Sequence, residues 1–155
     1  MKNSNPKLRS KKSGEGLVVV IILLLIIGAG AWYLFHNKWT MDQEARAFGR
    51  EMIQRVTVNH DLAFFQNNLG PQARMENAPS QQETIIAKFK ELGVPQQPIK
   101  IEENVTFESK FFSPRAYFTA HLFYPTQTMT LQIAISHPVG KWQLDNLSFG
   151  SGPGG

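Results

Sequence analysis

Residues 115–136 read RAYFTAHLFYPTQTMTLQIAIS. Ala116, Phe118, Ala120, Leu122 and Tyr124 alternate with Arg115, Tyr117, Thr119, His121 and Phe123. After Pro125-Thr126-Gln127 the alternation resumes, with Met129, Leu131, Ile133 and Ile135 set against Thr128, Thr130, Gln132 and Ser136. A period of two is the mark of a strand with one buried face. Proline with short polar residues between two such runs marks a hairpin connection. The stretch is therefore read as two antiparallel strands with their apolar sides turned to a core. The small residues Ala116 and Ala120 on that side would let a helix lie close.

Working toward the C-terminus, His137-Pro138-Val139-Gly140 is the next turn, and Trp142 and Leu144 open a last strand. Leu147 and Phe149 fall one position out of phase, which predicts a bulge near Asp145-Asn146. Residues 150–155 are read as a flexible tail. Working back, Ile99, Ile101, Val105 and Phe107 share one face of a strand against Lys100, Glu102, Thr106 and Glu108.

Before Pro98 the period is that of a helix. Thr40-Met41-Asp42-Gln43 fits a capping box, so a helix is expected to start afresh at Thr40 and to end near Val58. Its apolar stripe is Ala45, Phe48, Met52, Ile53 and Val56, with Arg46, Arg50, Glu51, Gln54 and Arg55 on the other side. Asn59-His60-Asp61 breaks and caps, Leu62, Phe65 and Leu69 follow at helical spacing, and Gly70-Pro71 stops that segment. Residues 72–79 are read as a loop. Ser80-Gln81-Gln82-Glu83 caps a third helix with Ile85, Ile86, Phe89 and Leu92 on one face and Gly93 at its end. Helices followed by about four antiparallel strands define an α+β domain over residues 40–149.

The stretch before this domain, Leu17–Phe35, holds no charged residue: LVVVIILLLIIGAGAWYLF. A helix of that length spans about 28 Å, close to the hydrocarbon thickness of a bilayer. A transmembrane helix is expected over residues 16–36, anchoring the chain in the lipid bilayer through 17–35. Trp32, Tyr33 and Trp39 suit the outer interface. A cleaved signal peptide is the alternative, with Ala29-Gly30-Ala31 as the cleavage pattern. The length of the apolar run favours an uncleaved signal-anchor.

The chain has 155 residues with 16 basic and 12 acidic ones. Five basic residues and one acidic residue fall within the first 35, so the remainder is balanced at 11 of each. The excess charge belongs to the tail, residues 1–15. A basic tail beside an apolar span is placed in the cytoplasm by the positive-inside rule, which puts the domain outside it, periplasmic or extracellular. The charge balance of the domain gives no reason to expect nucleic acid as a partner. There is no cysteine, so neither a disulfide nor a lipid-modified cysteine is possible.

The order of elements resembles the cystatin-like and nuclear-transport-factor-like superfamily, in which a curved sheet wraps a long helix. The likeness is carried by Gly140-Lys141-Trp142-Gln143-Leu144-Asp145, by the Phe64/Phe65 helix followed by the Leu92-Gly93 helix end, and by the strand order. It implies a small membrane-anchored extracytoplasmic domain, a type whose functions are mostly unknown, and no catalytic residue is carried over from it.

No chemistry-bearing motif stands out. His36, His60, His121 and His137 lack metal-ligand spacing, and no cofactor is expected. His60-Asp61 could pair as acid and base, but capping is the ordinary use of such residues at a helix start. Glu102 and Glu103 point to opposite faces of a strand and are read as solvated edge charge. Asn104-Val105-Thr106 and Asn146-Leu147-Ser148 match the glycosylation sequon but fall within expected strands. A non-enzymatic binding or assembly domain is the leading reading, with other membrane or envelope proteins or a second copy as partner. Two alternatives are a pilin-like filament subunit and a small enzyme with a pocket in the sheet. A pilin would continue one helix through Thr40 and would carry a glutamate where Ile21 stands, counting from Leu17. Arg115, Tyr117, His121 and Phe123 form the candidate partner surface, because aromatics with arginine on a polar sheet face have the composition of interface hot spots.

Overall fold

A computed structural model describes residues 13–108, 112–138 and 140–151. The elements run α1 (Ser13–Thr57), α2 (Leu62–Asn67), α3 (Pro71–Glu76), α4 (Pro79–Leu92), β1 (Lys100–Phe107), β2 (Pro114–Phe123), β3 (Thr128–Ser136) and β4 (Gln143–Ser151). The four strands form one antiparallel sheet in the order β1-β2-β3-β4. The protein is α+β. Two compact units divide the chain, Met1–Asn37 and Lys38–Gly155.

In the first unit the helix is apolar and exposed along its length: from Leu17 to Ile27 each side chain shows about half or more of its surface. Among the described residues there is one helix long and apolar enough to cross a membrane. Helix α1 passes through Thr40 without a break, which corrects the expected restart there. The physical reason is local. Neither glycine nor proline occurs between Ala31 and Phe48, and amides inside a running helix already have carbonyl partners four residues back. A capping box has nothing to cap there.

In the second unit the inner faces of the strands and one side of α1 share a core. Met52, Ile53 and Val56 from α1, Phe65, Phe89, Phe118, Leu122, Leu131, Ile135 and Leu144 are all fully buried. Ala116 and Ala120 are buried beneath it, as the alternation requires. The closest approach, though, is made by Gly49. A Cβ there would stand less than 3.0 Å from the nearest carbon of the Phe118 ring. Gly49→Ala gains helix propensity, up to about 1 kcal/mol, but overpacks the core, which costs about 1–3 kcal/mol. Thermal unfolding of the variant should show a net loss of about 1 kcal/mol, and an unchanged melting temperature would mean that Phe118 moves aside at no cost.

Local chemistry explains the short elements. Asp61 caps α2 by accepting from the Phe64 amide at 2.9 Å. Helix α3 occupies residues read as loop. Gly70-Pro71 does end the preceding segment, but proline is also a good first helical residue, since its missing N–H has no partner there anyway. Helix α4 starts at Pro79, earlier than its expected capping box, and the Gln81 side chain accepts from the Ala78 amide at 3.0 Å. Ser80 lies inside the helix. Gly93 closes α4 with φ of 84°, a conformation that favours glycine.

The bulge is where the phase break puts it. Ala134 pairs with Asn146 and Ile135 with Leu144, leaving Asp145 as the extra residue. Strand β4 reaches Ser151, so Gly150 and Ser151, read as tail, pair with Thr130 and Met129.

Just past the end of β2, Tyr124 is buried, and its hydroxyl has no hydrogen-bond partner among the described residues. Burial pushes its pKa up to about 12. Ionisation of the phenol therefore favours the unfolded chain, where it titrates near 10, so the fold keeps its full stability below that value and loses stability as pH rises from there to the folded value. Tyr124→Phe removes an unsatisfied group and should raise stability by about 1 kcal/mol at neutral pH. The same variant should also resist alkali better than the parent between roughly pH 10 and 12. A loss at neutral pH in a urea titration would show that the hydroxyl has a partner after all.

Candidate partner surface

The sheet has one face on the core and one face turned away. Register assigns the outer face row by row. Asn104, Tyr117, Ala134 and Asn146 stand side by side, as do Glu102, Thr119, Gln132 and Ser148, and then Lys100, His121, Thr130 and Gly150. Asn104, Tyr117, Gln132, Asn146 and Ser148 are exposed, so no described element covers the middle of this face.

Arg115, Tyr117, His121 and Phe123 all lie on this outer side of β2. Tyr117 is 47% and Phe123 48% exposed. The Arg115 guanidinium is held by Glu108 at 2.7 Å, and both side chains are about half exposed. His121 Nε2 stands 3.5 Å from Glu102 Oε1. The four do not converge on a point. Phe123 is eight steps along the strand from Arg115, about 27 Å. The arrangement is a stripe along one strand, suited to a surface contact rather than to a reaction.

Around Tyr117 the face is hollowed. A depression of about 350 Å³ is lined by Tyr117, Thr119, Gln132, Ala134, Asn146 and Ser148, with Phe118 and Ile133 contributing. Its cause is legible in the rows: the short Ala134 and Thr119 neighbour both of the longer Tyr117 and Gln132, and the short Ser148 lies on the far side of Gln132. The lining has amides, hydroxyls and aromatic and aliphatic residues but no carboxylate, imidazole or cation. Asn146 and Ser148 were missing from the sequence reading of this surface. The bulge at Asp145 carries them onto the outer face, so the phase break in the last strand was the signal that could have found them.

The remaining candidates are placed elsewhere. Among the described residues no three His, Cys, Asp or Glu side chains gather as metal ligands would. Asp61 is engaged by the cap and by Arg55 at 3.2 Å, so His60-Asp61 has a structural use for its carboxylate. His137 packs against Trp142 with ring centroids 5.0 Å apart.

Glu102 and Glu103 do point to opposite faces, but only Glu102 is a solvated edge charge. The Glu103 side chain is 8% exposed and faces inward between Ile101 and Val105. It accepts from Arg46 at 2.8 Å and from Arg50. The solvated reading of Glu103 is thus corrected: Arg46 and Arg50, on the polar side of α1 as expected, reach across to it. Burial alone would raise the Glu103 pKa, yet the hydrogen bonds from Arg50 and Arg46 prevail and hold it below the usual carboxylate range. Both guanidinium pKa values are raised, chiefly by the same hydrogen bonds: from Asp42 and Glu103 for Arg46, and from Glu103 for Arg50.

Comparison with family models, with curated proteins and with solved structures returns no match for this chain.

Proposed function

We propose that this chain is a single-pass, membrane-anchored binding or assembly domain without enzymatic activity, held outside the cytoplasm with its basic tail inside. The observation that carries this reading is the uncovered sheet face with Tyr117 and Phe123 about half exposed on it. Single exposed aromatics are common on protein surfaces, but two on one polar strand face together with arginine have the composition of an interface core. The absence of carboxylate and imidazole from the depression favours binding over acid–base chemistry. Membership of the cystatin-like superfamily is part of the proposal, supported by a helix packed on a four-stranded meander. The partner is another membrane or envelope protein, or a second copy of the chain.

The double variant Tyr117→Ala, Phe123→Ala tests this reading. Both residues are exposed, so stability should change by less than about 1 kcal/mol, while self-association or partner crosslinking falls. Unfolding would assign the face to the core. Unchanged folding together with unchanged association would refute the proposal.

A second reading, a pilin-like filament subunit, is favoured by one observation: α1 runs unbroken from the apolar segment into the domain. Ile21 still stands where that reading needs a glutamate. A mature N-terminus at Leu17 and filaments in electron micrographs would select it; an intact N-terminus without filaments would exclude it.

A further inference from the structure

The strand directions bring two turns to one end of the sheet. Strand β1 ends at Phe107 and β2 begins at Pro114, while β3 ends at Ser136 and β4 begins at Gln143. Two contacts set that end beside the start of the domain's part of α1. The Lys38 ammonium sits 5.0 Å from the centre of the Phe107 ring. Trp142, in the β3–β4 connection, donates from Nε1 to Glu44 at 3.4 Å. The opposite hairpin, between Phe123 and Thr128, lies a strand length away. The ten residues of β2 extend over about 30 Å.

Trp39 follows the last residue of the apolar run, Phe35, by four positions, so it lies within about 14 Å of that residue whatever path the chain takes. Trp39 is 63% exposed, and Phe112, in the β1–β2 turn, is 57% exposed. The Glu108 amide donates to the Ser113 carbonyl at 3.2 Å, which closes the base of that turn and places Phe112 beyond it. Tryptophan and phenylalanine next to lysine are the residues that settle at the boundary between hydrocarbon and water, the lysine stem lying along apolar surface with its ammonium in the headgroups.

We propose that this end of the sheet rests on the membrane, with Phe112 and Trp39 seated in the lipid headgroup layer as a second contact beside the anchor. The proposal rests on reading 17–35 as a membrane span. It assigns the domain an orientation: the strands stand on the bilayer, and the 124–127 hairpin points away from it.

The chain has no cysteine, so single labels can be placed without background. Full-length Ile26→Cys, Trp39→Cys, Phe112→Cys and Thr126→Cys variants would each carry an environment-sensitive fluorophore. They would be reconstituted in vesicles of phosphatidylcholine and phosphatidylglycerol, with lipids bearing a nitroxide either in the headgroup region or deep in the acyl chain. The label at 26 should be quenched by the deep nitroxide. The labels at 39 and 112 should shift to the blue and lose most of their emission to the shallow nitroxide. The label at 126 should keep its emission with both. If 26 is quenched and 112 behaves like 126, the anchor stands and this contact is refuted. If 26 is not quenched, the span and the contact fall together.

Discussion

Replacing Trp142 by alanine in the unit Lys38–Gly155 is expected to cost about 3–5 kcal/mol, the range for removing a large buried aromatic. Trp142 is 7% exposed, belongs to the core, packs on His137 and donates to Glu44. The Ala side chain would leave a cavity beside α1 and an unfilled place at the start of β4. Domains of this size hold only about 5–15 kcal/mol in total, so the variant should be marginal or unfolded at room temperature. Urea unfolding followed by far-ultraviolet circular dichroism measures it, because that signal does not depend on the lost indole. Trp142→Phe should recover most of the loss, since it keeps the ring and gives up one long hydrogen bond. A loss under about 1 kcal/mol, the range of ordinary surface changes, would place Trp142 outside the core and overturn the register of β4.

The second large effect belongs to Glu103. It is an inward charge on an edge strand, a position where an unpaired carboxylate would be costly. Arg46 and Arg50 supply two charge-assisted hydrogen bonds from α1. Glu103→Ala should cost about 2–3 kcal/mol, less than breaking a fully buried pair. The discount arises because Arg46 and Arg50 keep 34% and 62% of their side-chain surface in water and can be resolvated. The pH dependence gives an independent check. The folded pKa of Glu103 lies below the ordinary value near 4.3, so its stabilisation is complete above that value. It is lost as pH falls through the folded value. The parent should therefore lose stability more steeply than Glu103→Gln on acidification below about pH 4.3. Equal slopes would mean that the arginine pairs do not hold the carboxylate in solution.

The sheet was the most legible part of the molecule. Alternation alone assigned the faces of β2 and β3, and a single break in phase located the bulge at Asp145, because pleat period leaves no freedom about which side a residue takes. Glu103 was misread for a related reason: it occupies the apolar side of β1, but a carboxylate carries no sign of the two arginines waiting on α1, since their pairing spans more than 50 residues of sequence. Gly49 was overlooked because a glycine inside a helix pattern does not announce the ring that packs against it. The capping signals at Thr40 and Ser80 show a different limit. Their residue types are right, but a cap forms only where a helix begins, and the surrounding chain decides that. The candidate partner surface was half visible. Its aromatic stripe lies on one strand and follows from period two, whereas the depression needs β3 and β4 beside it, and their register is a tertiary fact.

The claim that the outer sheet face is where this protein meets its partner can be tested with the chain in its own membrane. A photo-activatable amino acid placed at Tyr117, at Gln132 or at Ala87 on the exposed side of α4 reports contacts within reach of each position. Positions 117 and 132 should give the same discrete adduct, and Phe123→Ala should weaken it. Position 87 should not give it. An adduct shared by all three positions, or one formed from position 87 alone, would contradict the assignment of the sheet face.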